Sequence, residues 1–194
     1  MNYNFENITK LLLVVDINNG FVNQGPMHDK FIRHIIPESV KLVKHFLEKG
    51  YAVGYVKEWH SKRSVEFNDF PVHCERGTYE AQMVDELLEF EGKVIVFKKN
   101  ATSGIFAKGF IKMLSQMKNL KEIVIIGCCT DICVMNIAIP LKSYFDEHNR
   151  VVKIIIPKNA VETYDSAAHP REEYNEIAFK LMAQLGIKLV ETYL

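Results

Sequence analysis

The sequence predicts an α/β fold: a doubly wound, six-stranded parallel sheet with helices on both faces, built by a single domain over residues 1–194. Three observations carry this expectation. Runs such as Leu11-Leu12-Leu13-Val14-Val15 and Ile123-Val124-Ile125-Ile126 are continuously apolar rather than alternating, as in strands buried on both faces. Amphipathic patterns of helical period separate them. The chain has no repeats, low-complexity stretches or linkers, and 194 residues suffice for one sizeable core.

The elements follow in order. Lys10 to Asp16 is an apolar run ending in a carboxylate. Pro37 opens a helical pattern through Val40, Val43, Phe46 and Leu47, and Gly50 closes it. Tyr51 to Val56 is the second strand. Residues 58 to 78 form a long polar connection with interspersed aromatics. Glu80 to Phe90 reads as helix and Lys93 to Phe97 as the third strand. Ile105 to Met117 reads as a helix with Phe106, Phe110, Met113 and Leu114 on one side. The fourth strand ends at Gly127, and a helix runs from Asp131 to about Glu147. Val151 to Ile156 is the fifth strand, Pro170 to Leu185 the last helix, and Ile187 to Val190 the last strand.

Composition narrows the function classes. Lys plus Arg and Asp plus Glu both number 24, so no overall field favours nucleic acid or an anionic membrane. No stretch is long enough to span a bilayer, and the N-terminal residues lack the basic and apolar regions of a signal peptide. Three of the four cysteines crowd into Cys128, Cys129 and Cys133, which is no secreted disulfide framework; a reducing cytoplasm is expected.

In a doubly wound sheet, ligands bind at the carboxyl ends of the strands. Those ends carry Asp16, then Glu58-Trp59-His60, then Lys98-Lys99-Asn100, and finally Gly127-Cys128-Cys129-Thr130-Asp131-Ile132-Cys133. A cysteine at a helix N-terminus is flanked by backbone N–H groups that favour a thiolate and can hold an oxyanion. Asp16 is placed to take the thiol proton and return it to a leaving group. Lys99 is placed to hold both negative charges. The plainer alternatives are small buried cysteines, a turn aspartate and a solvated lysine pair. Glu58, His60, Glu66 and His73 form a second cluster. Two imidazoles with carboxylates suit Zn²⁺, Fe²⁺ or Mn²⁺ better than Ca²⁺. Their spacing matches no compact metal motif.

The chain resembles the cysteine hydrolases of the isochorismatase-like superfamily, and within it most closely the nicotinamidases. Leu13 to Phe21, Glu58-Trp59-His60, Phe70-Pro71-Val72-His73-Cys74-Glu75-Arg76-Gly77-Thr78 and Gly127 to Val134 carry the resemblance. It implies a triad of Asp16, Lys99 and Cys133, with Lys99 preferred to Lys98 because Thr102-Ser103-Gly104 then fall in register. It implies a cis peptide between Cys128 and Cys129, with the backbone N–H groups of Cys129 and Cys133 as oxyanion donors. It further implies one divalent transition metal ion held by His60, His73 and carboxylates, and a nicotinamide-like small-molecule amide substrate flanked by Phe21 and Trp59. The aromatics Phe106, Phe110, Tyr144 and Phe145, expected on outer helix faces, point to a homo-oligomer, with core packing as the alternative; the charge balance and hydropathy point to no nucleic-acid or membrane partner. Glu58 stands in place of the usual Asp, Asn18 in place of Gln, and Gly20 in place of an Asp. His169 matches a family position near a subunit or loop contact and is given no catalytic role. Hydrolysis of a vinyl ether, carbamoyl or ureido group on the same fold, and a non-catalytic binding role, stay open as alternatives.

Overall fold

In the computed structural model, which describes residues 4–194, strands β1 (Lys10–Val15), β2 (Ala52–Glu58), β3 (Ile95–Lys99), β4 (Glu122–Cys128), β5 (Lys153–Pro157), β6 (Val161–Glu162) and β7 (Lys188–Val190) form one sheet. Its order is β3-β2-β1-β4-β5-β7, and every strand pair is parallel. The doubly wound order therefore stands, with seven strands where six were expected. The addition is the two-residue β6, which pairs with the end of β4 at Gly127 and Cys128. Two residues are too few to leave a periodic signature.

Among the described residues six α-helices accompany the sheet: α1 (Asn19–Val22), α2 (Ile36–Glu48), α3 (Asp85–Leu88), α4 (Phe110–Gln116), α5 (Met135–Glu147) and α6 (Arg171–Gln184). Alternate residues of β1 divide the core between them. Leu12 and Val14 pack with α2 residues Leu42, Val43 and Phe46 and with Leu87 of α3. Leu11, Leu13 and Val15 pack with Phe110, Ile137, Phe145 and Met182 of α4, α5 and α6. Both faces of the sheet are thus covered, which explains strands that are apolar at every position.

Three helices differ from expectation, each for a local reason. The helix expected over Glu80–Phe90 is reduced to Asp85–Leu88. Residues 80–84 bond the loop after β1 instead: Gly20 donates to the Glu80 carbonyl, Asn19 to Gln82 and Val84 to Ile17. The helix expected over Ile105–Met117 starts only at Phe110, because Gly109 adopts the left-handed region (φ 87°) between it and a single 3-10 turn. Phe106 consequently leaves the apolar face and is 81% exposed. The helix expected from Asp131 opens as a π-turn over Thr130–Val134 before α5 continues it. Val151 lies outside β5, which begins at Lys153.

The order places a topological switch point between β1 and β4, from which the sheet winds in opposite directions. Asp16 follows β1 and Cys133 follows β4, so the two sequence-selected residues flank the crevice where such sheets bind ligands.

Candidate active site

The Cys133 side of the site grows out of the strand ends. Gly127 of β4 lies opposite Val15 of β1. Its φ is 123°, and a Cβ there would sit 1.9 Å from the Val15 carbonyl oxygen, so only glycine allows this approach. Asp16 donates its backbone N–H to Val56 of β2 at 2.9 Å and turns with φ 49°. The Cys128 thiol donates to the Asp16 carbonyl at 3.0 Å. The Cys128–Cys129 peptide is cis, as the resemblance implied. Asn18, the departure from Gln, is fully buried and donates its side-chain amide to the carbonyls of Glu58 (3.1 Å) and Ala81 (3.0 Å). It ties the end of β1 to the end of β2.

Lys99, the last residue of β3, reaches into this crevice. Its Nζ lies 2.9 Å from Asp16 Oδ2, 2.8 Å from Glu58 Oε1 and 3.7 Å from Cys133 Sγ. Cys133 Sγ is 3.8 Å from Glu58 Oε1. Asp16, Glu58 and Cys133 offer atoms within 4.8 Å of one another. All four side chains are buried.

One cation among two carboxylates and a thiol cannot ionise all three. Burial pushes Glu58 up, but the Lys99 charge and hydrogen bonds from His60 and His73 hold it well below the usual carboxylate range. Burial also pushes Asp16 up; the Lys99 charge pulls it back and the Glu58 charge pushes it up again, leaving it at about 7. Burial lowers Lys99, yet the charges of Asp16, Cys133 and Glu58 keep it well above its usual value. Burial raises Cys133 well above an ordinary thiol, and Lys99 only partly opposes this. The helix-terminus expectation of a lowered thiol pKa is therefore overturned. Desolvation is the largest influence on the sulfur and favours the thiol, with the Lys99 charge opposing it.

The second half hangs on β2 and the connection after it. Glu58 and His60 are two residues apart in extended chain and face the same way. Glu58 Oε2 lies 3.0 Å from His60 Nε2 and 2.7 Å from His73 Nε2. The opposite ring nitrogens are also engaged: His73 Nδ1 faces the Pro71 carbonyl at 2.7 Å, and His60 Nδ1 faces Ser64 Oγ at 3.3 Å. A carbonyl on Nδ1 fixes a proton there; Nε2 donates to Glu58 in the absence of an ion and would offer its lone pair to an ion placed between them, as in histidines that ligate metals. Burial pulls His73 down, but the Glu58 hydrogen bond and charge outweigh it and raise the ring above its usual value. The three donors, grouped within 4.8 Å, fit a divalent transition ion. Glu66 stands farther back. Its Oε2 is 3.4 Å from His60 Nε2, while its Oε1 accepts from both the backbone N–H and the hydroxyl of Thr102.

Between the halves lies a cavity of about 20 Å³, walled by Phe21, Met27, Phe70, Ile132, Thr102 and Cys129, with Glu58, Glu66, His73 and Cys133 at its polar end. Phe21 is where it was expected. Trp59 is not: strand alternation turns it away from Glu58 and His60, and its ring instead lies under the Lys98 ammonium at 4.1 Å. Sequence reasoning missed Met27, Phe70 and Ile132, which lie outside any periodic apolar pattern. Of the four aromatics expected on outer helix faces, Phe110 and Phe145 are core.

Comparison with known proteins agrees with this fold. The isochorismatase domain model matches residues 10–192. Nicotinamidase 1 of Arabidopsis thaliana is 25% identical over 208 residues, covering 92% of this chain and 84% of the plant protein. The zinc complex of Pyrococcus horikoshii pyrazinamidase superimposes with a TM-score of 0.77 at 24% identity, covering 93% of this chain and 98% of that one. N-carbamoylsarcosine amidase from Thermoplasma acidophilum superimposes at 0.74 and 21% identity, covering 94% and 95%. With the isochorismatase domain matched over residues 10–192 of the 194, this chain belongs to the isochorismatase family of hydrolases.

Proposed function

We propose that the chain hydrolyses a small carboxamide, nicotinamide foremost, through a Cys133 thioester. The observation that carries the reading is Lys99 Nζ, which touches Asp16, Glu58 and Cys133 at once inside a buried crevice. The similarity to a plant nicotinamidase adds the substrate class.

Asp16, ionised above about pH 7, takes the Cys133 proton as the sulfur attacks the carboxamide carbon. Lys99 stays charged and offsets the thiolate. The oxyanion falls to the backbone N–H groups of Cys129 and Cys133, on the turn that carries the sulfur. Asp16 then gives its proton to the departing amine; the C–N bond breaks, ammonia leaves and the acyl group stays on sulfur. Asp16, again a carboxylate, accepts a proton from water as water attacks the thioester. The acid leaves and Cys133 regains its proton from Asp16. Phe21, Phe70 and Ile132 supply apolar walls for a flat ring. Glu58, His60 and His73 would hold a Zn²⁺, Fe²⁺ or Mn²⁺ ion, with Glu66 acting directly or through water. When bound, the ion supplies a Lewis-acid contact for a lone pair of the substrate or for water.

The test is ammonia release from nicotinamide, pyrazinamide and aliphatic amides, with elemental analysis of the same sample. Release from the two aromatic amides supports the reading. No release from any amide overturns it.

A further inference from the structure

A second polar cluster lies behind the nucleophile turn, outside the cavity wall. Asp131 sits two residues before Cys133 on the π-turn, with its side chain only 11% exposed. Both of its oxygens are held. Oδ1 accepts from the Thr163 hydroxyl at 2.6 Å, and Oδ2 lies 2.8 Å from His169 Nε2. Thr163 is fully buried and directly follows β6, the short strand that pairs with the end of β4. His169 is itself fixed on every side. Its Nδ1 faces the Tyr164 carbonyl at 3.1 Å. Its ring is stacked against Tyr164 on one contact (3.9 Å between centroids, 10° between planes) and Tyr174 of α6 on another (3.6 Å, 28°). Its backbone exchanges two 3.0 Å hydrogen bonds with Ser166. None of Asp131, Thr163 and His169 lines the cavity, so an effect of the cluster on turnover would pass through the turn.

The turn is bonded at both ends: Ile132 and Val134 donate to the Cys129 carbonyl, both 3.1 Å, and the Met135 N–H reaches the Thr130 and Ile132 carbonyls where α5 begins. The Asp131 carboxylate adds a side-chain tie to the segment between β6 and α6, which opposes rocking of the turn about the end of β4. Rocking would move Sγ relative to Lys99 and Glu58, where its contacts are 3.7 and 3.8 Å. Misplacement of a reacting atom by about 1 Å costs on the order of a hundredfold in rate.

We propose that Asp131, gripped by Thr163 and His169, is the positioning residue of the nucleophile turn, and that the segment from β6 to the start of α6 exists in part to aim Cys133 Sγ at Lys99 and Asp16. The proposal rests on the reading of Cys133 as nucleophile.

The test compares the parent with Asp131→Asn, His169→Phe, His169→Gln, Thr163→Val and Thr163→Ser. Three readouts are taken: kcat and KM for ammonia release from nicotinamide, the rate of Cys133 alkylation by iodoacetamide read by mass, and melting temperature. His169→Phe keeps a stacked ring without a donor, and His169→Gln keeps a donor. Thr163→Val removes one hydroxyl at constant shape, and Thr163→Ser restores it. The expected result is a kcat about 10- to 100-fold lower in Asp131→Asn and His169→Phe, with KM within about threefold. Thr163→Val should lose several-fold, and His169→Gln and Thr163→Ser should recover most of the loss. Cys133 alkylation should change several-fold in the same order. The Asp131→Asn, His169→Phe double variant should be no worse than the poorer single, because both break one contact. If Asp131→Asn does not fold, the Thr163 pair decides. Values of kcat within twofold of the parent, or losses that track melting temperature and are not restored by Thr163→Ser, overturn the proposal. Cys133→Ala is run alongside: if it retains turnover, the nucleophile reading fails, while alkylation of Cys133 still reports whether the cluster positions that side chain.

Discussion

Asp16, Lys99 and Cys133 stand at or just beyond the ends of strands buried on both sides, whereas His60 and His73 hang on a connection that wanders from β2 to α3. The first group is aimed by sheet register: β1 pairs β2 and β4, and β2 pairs β3 through Glu58 and Lys99. The second is aimed by scattered long-range bonds. His60 is bonded twice across the connection, donating its backbone N–H to the Cys74 carbonyl at 3.0 Å and accepting from the Arg76 N–H at 2.9 Å. Asn18 and the backbone of Asn19 and Gly20 hold its far end. Glu58 belongs to both groups, with one oxygen on Lys99 and the other on the two histidines. The contrast separates chemistry that the sheet itself fixes from chemistry that a loop must be folded to deliver.

Breaking the strand-held half should have the largest effect. Cys133→Ala removes the attacking atom, so ammonia release should fall to the uncatalysed background with melting temperature nearly unchanged. Near-normal turnover would move the chemistry elsewhere.

Asp16→Asn comes next, with a loss of about a hundredfold or more in kcat, as expected for loss of a general base. The parent's kcat/KM should rise with pH through about 7, where Asp16 ionises; a profile already flat from pH 5 would remove Asp16 from that role. Stability carries the same signature. Asp16 is raised from 3.8 to about 7 on folding. The folded state therefore binds more protons across that window, and stability falls as pH climbs through it. The melting temperature of Asp16→Asn should gain on that of the parent between pH 5 and pH 8. An unchanged difference would contradict the burial penalty.

The loop-held half should respond differently. His73→Asn should lose bound Zn²⁺, measured by elemental analysis, and lose the rise in melting temperature on adding Zn²⁺, which for the parent is about 2.7 kcal/mol of stabilisation at a hundredfold excess over Kd. Alkylation of Cys133 should remain within about threefold of the parent. If His73→Asn silences the thiol as fully as Asp16→Asn, the two halves are one unit.

Trp59→Phe should be the mildest, within twofold in kcat and KM, because the ring lies under Lys98 and outside the cavity. A tenfold rise in KM would return Trp59 to the substrate.

The same contrast marks what the sequence made legible. The strands, their doubly wound order and the meeting of Asp16, Lys99 and Cys133 could be read because strand register leaves an apolar signature and places side chains at predictable ends. The histidines could be found by residue type and resemblance. The helix wrongly expected over Glu80–Phe90 failed because its carbonyls serve the loop after β1, a partnership that no local pattern records. The thiol pKa was misjudged because burial by distant elements is the largest influence on it. Asp131 and His169, 38 residues apart, meet only once the sheet is formed.

The cavity between the halves measures about 20 Å³, room for about one water, since some 10–15 Å³ admits a single molecule. The side chains of Phe21, Met27, Phe70 and Ile132 crowd that space down to the sulfur. An acyl group held there would share it with very few solvent molecules. Such confinement suits a thioester that must meet one water while bulk nucleophiles are kept out.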